Sequence, residues 1–320
     1  MKLMDNEVIE TIVSDKITYR EMLDDSKAGR IIEKIKCGSR VLVLKYGTDV
    51  GMKKEVQTYQ QIGTLKLSIP SVIYCEQIDS LYLLVLEWID GRYPDFQDNK
   101  DIQNYFYSLG RFAVETSFLN NNYFDFDTDE LIHMTELKTL LQDQEELIKN
   151  HVGTFSYDMM QQLVAHKDNI FQCIMKIPKA LDPGDISLHN AKIHGDSGKV
   201  VFFDFESAVI RPLSMFFEHF AEAYESIPSS ETGILLSQQT FFQAWNTYAI
   251  IQISWYDFRQ SITAAMLNYK AGNYIYWIRK IMTDKEHNET ILWLKNDVQI
   301  LEKLLLKLCD EEGDGCVKSD

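Results

Sequence analysis

The sequence predicts a two-lobed α+β protein, with a small antiparallel β-lobe over residues 1–90 and a larger, mostly helical lobe over residues 91–320. Short Val-, Ile- and Leu-rich runs with strand character fill the first ninety residues. From Asp101 onward, apolar residues recur mainly at helical spacing, and one β-hairpin interrupts them. The length of 320 residues fits about two domains of ~150 residues each.

Five strands and one helix are predicted in the β-lobe. The strands are Ile17–Leu23, Arg30–Lys36, Arg40–Tyr46, Ser71–Glu76 and Leu81–Glu87. The helix covers Val50–Ile62 and ends at Gly63, a residue type that is common at helix C-termini. Polar or glycine-containing joints between the strands fit hairpin connections. We therefore expect a small antiparallel sheet with the helix packed on one face.

The larger lobe shows helical periodicity along most of its length. Two apolar faces run from Met134 to Ile148 and from Met160 to Ile174. Further helices are predicted over Asn104–Leu119, Ser214–Ser226, Gln238–Ala249, Asp257–Asn268 and Thr290–Leu308. The hairpin joins Asn190–His194 to Lys199–Phe203 through a Gly-Asp-Ser-Gly turn. The acidic tail Asp310–Asp320 is expected to be frayed.

Composition excludes several classes of protein. With 48 acidic and 32 basic side chains the net charge is −16, which argues against a nucleic-acid duplex as partner, because phosphate binding needs surplus Lys and Arg. The same charge permits a cationic small-molecule partner. The apolar runs are much shorter than the ~18 residues that a membrane span needs, so no membrane association is expected.

The cysteines and the N-terminal residues indicate the cellular compartment. Asp5, Glu7 and Glu10 stand where a signal peptide would need basic and apolar residues, so no secretion signal is expected. The five cysteines are scattered, with no close pair at metal spacing. This favours a reducing compartment without a structural zinc, and we expect a cytoplasmic protein.

The hairpin places two polar residues together. If its turn pairs His194 with Lys199, Asn190 faces Phe203 and Asp204 follows directly. Paired Cα atoms lie only about 5 Å apart, so the Asn190 amide and the Asp204 carboxylate emerge at one end of the hairpin. Two oxygen ligands held so close suit Mg²⁺. The alternative is that Asp and Asn act here only as turn formers and caps.

A third polar residue is expected at the same end of the hairpin. Asp185 lies five residues before Asn190, in a loop that begins Pro183-Gly184. From there its carboxylate can take a proton from a hydroxyl that reacts with a metal-bound phosphate. The convergence of three such residues, flanked by apolar segments, favours a functional site over three separate caps.

A second candidate pair lies in the β-lobe. Glu55 falls within the apolar stripe of the predicted helix, formed with Met52, Val56 and Tyr59. A buried carboxylate is costly unless it is paired, and Lys45, at the end of a core strand, is the nearest plausible partner. The alternative is that Glu55 reaches solvent from the edge of the helix.

These residues, in this order, resemble the protein-kinase-like fold, and most closely its aminoglycoside phosphotransferase and choline kinase branch. The family's catalytic loop, His-Gly-Asp followed by four residues and Asn, corresponds to Pro183–Asn190. Its metal motif, Asp-Trp/Phe-Glu-x-Ala after apolar residues, corresponds to Val201–Ala208. The segment Leu83–Gly91 is similar to the hinge that contacts the base of the nucleotide. The likeness spans about Thr18 to Tyr224.

The resemblance implies a role for each of these residues. Asp185 would be the catalytic base or would orient the acceptor hydroxyl, and Asn190 and Asp204 would hold Mg²⁺. Lys45 would bind the α- and β-phosphates of the nucleotide, and Glu55 would position Lys45. Three residues, Glu87, Trp88 and Ile89, would form the nucleotide hinge. The segment Asp24–Gly29 would be the loop over the phosphates.

The implied activity is transfer of the γ-phosphoryl group of ATP or GTP to a hydroxyl of a small molecule. The net charge favours a cationic acceptor, such as an aminoglycoside, an amino sugar or choline. Residues 1–90 would be the nucleotide-binding lobe, and residues 91–320 would carry the catalytic loop, the metal site and the acceptor pocket.

Two departures from the family pattern keep other interpretations open. Pro183 stands where the family has His, and Met215 stands near the place of a customary Asp. A pseudokinase would keep the fold and bind nucleotide or a partner without turnover. A structural or assembly protein, similar to kinase-like spore-coat proteins, would not respond to nucleotide.

Overall fold

The computed structural model describes residues 3–24, 26, 29–119, 132–195, 198–222, 227–283 and 288–313. Several predicted segments lie partly outside these residues. They are the loop Asp24–Gly29, the turn between His194 and Lys199, the end of the helix predicted over Ser214–Ser226, and the tail Asp310–Asp320.

The protein is an α+β fold with a five-stranded antiparallel sheet, as the sequence predicts. The strands are β1 (Ile17–Asp24), β2 (Arg30–Cys37), β3 (Arg40–Gly47), β4 (Val72–Ile78) and β5 (Leu81–Glu87). They are arranged in the order β1-β2-β3-β5-β4. Strand β5 has the predicted bounds and the other four differ from them by at most two residues, because the Val/Ile/Leu runs define the buried parts of the strands and the polar joints define the turns.

Two helices accompany this sheet. Helix α2 (Val50–Ile62) has the predicted bounds; the Asp49 side chain caps its first turn by accepting a hydrogen bond from the amide of Met52. Helix α1 (Asn6–Val13) was not predicted. Its signal in the sequence is Asp5, which caps the helix, followed by apolar residues that are four positions apart and buried in the sheet core, Ile9 and Val13.

The remaining strands are short. Strands β7 (Ala191–His194) and β8 (Lys199–Phe202) form the predicted hairpin. Strands β6 (Lys179–Asp182) and β9 (Val209–Pro212) form a further two-stranded sheet that was not predicted. Strands of four residues are too short to show a periodicity, and β6 and β9 lack the turn sequence that identifies the hairpin.

The chain divides into two compact units. The first comprises Met1–Phe124, Leu181–Ile210 and Glu225–Tyr248, and the second comprises Asp125–Ala180, Arg211–Tyr224 and Ala249–Asp320. The first unit contains the five-stranded sheet, the hairpin, and helices α3 (Asn99–Thr116) and α8 (Glu231–Tyr248), which pack against each other. The functional division predicted at residue 90 stays a prediction.

The second unit is mainly α-helical among the residues that the structure describes. Its helices are α4 (Ile132–Asp143), α5 (Glu145–His151), α6 (Thr154–Ala165), α7 (Lys167–Met175), α9 (Trp255–Thr283) and α10 (Asn288–Gly313). In its interior, the fully buried Lys270 forms ion pairs with Glu222 at 2.6 Å and Asp297 at 2.5 Å, and the Tyr274 hydroxyl donates to Asp297. This network satisfies charges that would be costly to bury alone.

Four helical predictions need correction. The two apolar faces that begin at Met134 and Met160 each span two helices, because breaks at Gln144 and His166 interrupt the helical backbone. Helix α9 continues fifteen residues beyond the predicted end to Thr283, since only Gly272 interrupts its helix-forming residues. The segment Leu213–Ala221 is a 3-10 helix rather than an α-helix, and eight of its nine residues are buried.

No helix within the described ranges is both long enough and apolar enough to cross a membrane.

Candidate active site

The hairpin has the register that its sequence predicts. His194 pairs with Lys199, and Ala191 pairs with Phe202. One step further, the Phe203 amide donates to the Asn190 carbonyl at 3.0 Å. Asn190 directly precedes β7 and Asp204 lies two residues after β8, so the two residues lie at the same end of the hairpin.

Asp204 adopts an unusual backbone conformation at this end. Its φ is +66°, a left-handed conformation that side chains other than glycine rarely adopt. The following residue, Phe205, is fully buried, and its ring lies edge-on to Tyr59 of α2 at 5.2 Å and stacks on Phe112 of α3 at 5.9 Å. The aromatic anchor holds the turn in place, and such locally strained residues are typical of functional sites.

Lys45 connects the sheet to this turn. It lies on β3 between Ile32 of β2 and Leu84 of β5, so its position is set by strands on both sides. Its ammonium is 2.5 Å from Glu55 Oε2 and 2.9 Å from Asp204 Oδ1. The Lys45 and Glu55 side chains are 7% and 1% exposed, whereas that of Asp204 is 34% exposed. Asp204 is thus the member of this cluster that a ligand can reach.

The electrostatics keep Lys45 protonated. Burial would lower the pKa of Lys45, but the charges of Glu55 and Asp204 and their hydrogen bonds outweigh it and raise the pKa above its usual value. The two carboxylate oxygens of Glu55 have no hydrogen-bond partner among the described residues apart from this ion pair. Among the described residues, Glu55 therefore forms its ion pair with Lys45, as the buried position of its carboxylate in the apolar stripe of α2 predicts.

Asp185 and Asn190 contact each other directly. The Asn190 side-chain nitrogen donates to Asp185 Oδ2 at 2.8 Å and to the Asp185 carbonyl at 3.1 Å. Asp185 is exposed, so its carboxylate is accessible to a substrate. Because the nitrogen of the Asn190 amide donates to Asp185, the amide oxygen is the atom left to accept a hydrogen bond or to bind a metal ion.

Two residues that the sequence analysis missed shape the loop that carries Asp185. Asp182 is fully buried and accepts a hydrogen bond from the Gly184 amide at 2.7 Å. Gly184 has φ +89°, and a Cβ atom at this position would overlap the carbonyl of Ser207 in the loop that follows Asp204. The two loops therefore pack backbone to backbone. An Asp two residues before a Gly is the signal that predicts such a turn.

A second missed cluster braces the same turn. Arg30, at the start of β2, is 4% exposed and pairs with Glu206 and with Asp49, the latter at 2.5 Å. Asp49 is also the N-cap of α2. One guanidinium thus joins the sheet, the helix that carries Glu55, and the turn that carries Asp204. The sequence contains no spacing signal for this cluster, since its members are far apart in the chain.

A cavity of about 340 Å³ lies beside Lys45. It is lined by Glu55 and Asp204 at one end and by the three predicted hinge residues, Glu87, Trp88 and Ile89, at the other. The Trp88 amide donates a hydrogen bond to the Val41 carbonyl, whereas the Ile89 amide donates to no protein group among the described residues. The volume is within the range of sites that hold small ligands.

The donor set at the hairpin end suits Mg²⁺. Within the described ranges, no three His, Cys, Asp or Glu side chains cluster closely enough to hold a metal by themselves. One carboxylate, from Asp204, and one amide oxygen, from Asn190, are oxygen ligands of the kind that Mg²⁺ takes when phosphates and water complete its shell. The residues present therefore fit a metal whose shell is completed by phosphates and water better than a metal held by protein alone.

Comparison with known proteins gives a structural match without a sequence match. No protein-family model and no curated protein sequence matches this chain. Its structure resembles an aminoglycoside phosphotransferase from Alicyclobacillus acidocaldarius, with a TM-score of 0.60, 12% identity and 98% coverage of both chains. The protein has a protein-kinase-like fold.

Two further matches agree with that assignment. A thermostable mutant of aminoglycoside phosphotransferase APH(4)-Ia, in a ternary complex with ADP and hygromycin B, matches with a TM-score of 0.57 and 11% identity over 93% of this chain and 98% of that one. APH(2'')-IIa in a ternary complex with streptomycin and ATP matches with a TM-score of 0.52 and 16% identity over 96% and 99%. The resemblance to this fold, predicted from the motifs around Asp185 and Asp204, is confirmed.

Within this kinase-like fold, two groups of predicted residues come together. Lys45, Glu55 and Asp204 form one contact cluster, and Asp185 and Asn190 form the other. Three residues of the segment predicted to be the metal motif have structural partners: Phe205 in the aromatic anchor, Glu206 on Arg30, and Ser207 against Gly184. The roles of these residues in binding and catalysis stay predictions.

Proposed function

We propose that this protein transfers the γ-phosphoryl group of a nucleoside triphosphate, ATP or GTP, to a hydroxyl of a small molecule. The observation that carries the proposal is the position of Lys45. Its ammonium contacts Asp204 at 2.9 Å and Glu55 at 2.5 Å, and all three line the cavity whose far end is the hinge Glu87–Ile89. A nucleotide with its base at the hinge would have its phosphates beside Lys45.

The proposed role of each residue follows from its contacts. The hinge binds the base through backbone groups, among which the Ile89 amide lacks a protein partner in the described chain. Lys45, held by Glu55, binds the α- and β-phosphates. Asn190 and Asp204 hold Mg²⁺, which when bound neutralises charge on the phosphate oxygens. Catalysis consists mainly of positioning and charge stabilisation.

Asp185 is the proposed base. It is exposed, and its Oδ2 is held by the Asn190 amide, so the carboxylate is oriented before substrate arrives. In the proposed reaction it orients the acceptor hydroxyl and takes its proton as the oxygen attacks the γ-phosphorus, while the bond to the leaving diphosphate breaks. Pro183, in place of the family His, is buried next to Asp182, which supports the loop through Gly184.

The proposed acceptor is cationic. Solved structures with the same fold are aminoglycoside phosphotransferases, some with hygromycin B or streptomycin bound. A net charge of −16 favours approach of a polycation. An aminoglycoside, an amino sugar or, in a choline-kinase-like reaction, choline would satisfy this condition. The scattered cysteines fit a reducing location, and we place the reaction in the cytoplasm.

A phosphate-transfer screen tests the proposal. Purified protein with ATP or GTP and Mg²⁺ is offered aminoglycosides, amino sugars, nucleosides and choline, and nucleotide consumption is measured. We expect one class of acceptor to support turnover, and Asp185→Asn to reduce that turnover about 10²–10⁴-fold without weakening nucleotide binding. Asp79→Asn, in the β4–β5 turn, is the matched control and should leave turnover unchanged. Undiminished turnover in Asp185→Asn would refute the assigned base.

A pseudokinase is the second candidate, and Pro183 is the observation that favours it. The family residue at this position can donate hydrogen bonds from its side chain, and proline cannot. In this alternative the cavity binds nucleotide, and the protein acts through that bound state. Nucleotide binding combined with no transfer to any acceptor in the screen would favour the pseudokinase over the enzyme.

A further inference from the structure

The hinge end of the cavity contains a lysine that the proposed reaction does not use. Lys192 lies on β7 and lines the cavity together with Trp88, Ile89 and Tyr93. Its ammonium is 3.4 Å from the Ile89 carbonyl oxygen, 4.8 Å from the centre of the Trp88 ring and 5.3 Å from that of Tyr93. It is half-buried. The cation is therefore held at the place where the base of a nucleotide would bind.

This ammonium has no carboxylate partner among the described residues. Its contacts there are the Ile89 carbonyl and the faces of the two aromatic rings. An ammonium has three N–H donors and no acceptor. The Ile89 carbonyl uses one of them, and two remain for a ligand. In a protein with a net charge of −16, a cation left without a carboxylate inside a cavity points to an acceptor on the ligand.

The two purine bases differ at the edge that such a donor would contact. Guanine presents two adjacent acceptors, O6 and N7, whereas adenine presents the acceptor N7 beside the donor N6 amino group. A lysine can contact both acceptors of guanine, while it meets a like donor at N6 of adenine. The Ile89 amide, which has no partner among the described residues, is a further donor and can bind an acceptor on either base, so it does not itself favour adenine.

We propose that Lys192 makes this cavity selective for a 6-oxopurine nucleotide, so that GTP is bound in preference to ATP. The inference rests on the proposed function, in which the cavity holds the nucleotide. It adds the identity of the base and names the residue that selects it. Trp88 and Tyr93 position the ammonium through cation–π contacts.

Equilibrium titration of the full chain with GTP, ITP and ATP, each with Mg²⁺, tests the inference. ITP retains O6 and N7 but lacks the 2-amino group of guanine, so it isolates the edge assigned to Lys192. We expect GTP and ITP to bind at least about tenfold more tightly than ATP, as one good contact to two base acceptors provides. Lys192→Met should remove the preference, and Lys192→Arg, which keeps the donors, should retain it.

Lys34→Met is the matched control. The Lys34 ammonium also lies over Trp88, at 4.0 Å from the ring centre, but Lys34 does not line the cavity. The preference should survive in this variant. Tighter binding of ATP by the unmodified protein would overturn the inference, as would an unchanged GTP-to-ATP ratio in folded Lys192→Met. In both cases nucleotide binding, and with it the proposed function, would stand. No binding of any nucleotide would refute both.

Discussion

Lys45 connects the five-stranded sheet and its neighbouring helix to the turn that follows the hairpin. It contacts Glu55 on the neighbouring helix and Asp204, which is 159 positions further along the chain. A buried cation between two carboxylates is stable only while its partners remain, because each charge would otherwise be left without water or a counter-ion. The cluster is therefore a structural requirement as well as a proposed binding element.

Replacing Lys45 by Met is expected to destabilise the protein by about 3–5 kcal/mol, since it leaves the fully buried Glu55 carboxylate unpaired. Urea denaturation measures the loss. The double variant Lys45→Met/Glu55→Leu should recover part of it, because the uncompensated charge is gone. A single variant as stable as the unmodified protein would show that the ion pair contributes nothing to folding. Neither variant should bind nucleotide phosphates normally.

Gly184 supports a second prediction at the residue scale. Its φ of +89° and the carbonyl of Ser207 beside it leave no space for a side chain. Gly184→Ala should lower the free energy of unfolding by about 3 kcal/mol or more, from backbone strain and the displaced loop. Gly195→Ala is the matched control: its φ is +45°, and nothing lies within 4 Å of the added Cβ, so a loss of about 1 kcal/mol is expected. Equal losses in the two variants would contradict the close packing of the loops.

At the scale of elements, hydrogen bonds hold the segment after the predicted hinge to the first turn of α3. Asp101 is 1% exposed and accepts hydrogen bonds from the Arg92 guanidinium and from the Asp95 amide, the latter at 2.9 Å. The Arg92 side chain, by contrast, is 59% exposed. The hydrogen bonds from Arg92 lower the pKa of Asp101 below its ordinary value of 3.8, against the opposing effect of burial.

This contact predicts an acid-dependent loss of stability. Because the folded-state pKa of Asp101 lies below the unfolded value, its contribution is fully present above pH 4 and is lost as the pH falls through the folded pKa. Thermal denaturation from pH 6 to pH 3 should therefore show a steeper decline in the unmodified protein than in Asp101→Asn. Arg92→Met should flatten the same part of the profile. Identical slopes in all three proteins would contradict the assigned pKa shift.

At the scale of the whole molecule, local patterns predicted those parts of the fold that local interactions determine. The Val-, Ile- and Leu-rich runs of β1–β5 and Gly63 at the end of α2 are local signals, and the hairpin register follows from a single turn. Glu55 was identifiable because a carboxylate in an apolar stripe demands a partner. These features, with the motifs around Asp185 and Asp204, were sufficient to indicate the kinase-like fold.

The features that the sequence did not reveal depend on contacts between distant segments. Arg30 pairs with Glu206 across 176 positions, and no pattern links two such residues before the chain is folded. Lys192 alternates with apolar residues on β7 and looks like an ordinary surface position in the sequence. Only the folded chain shows that it faces Trp88 and the cavity.

The most direct test of the central claim is whether Mg²⁺ couples nucleotide binding to the hairpin end. Binding of a non-hydrolysable ATP or GTP analogue is titrated with Mg²⁺ and with EDTA, in the unmodified protein, in Asp204→Asn and in the control Asp79→Asn. We predict that Mg²⁺ tightens binding at least about tenfold in the unmodified protein and the control, and that Asp204→Asn abolishes this tightening. Binding that is equally strong in EDTA, or an undiminished Mg²⁺ effect in Asp204→Asn, would contradict the account.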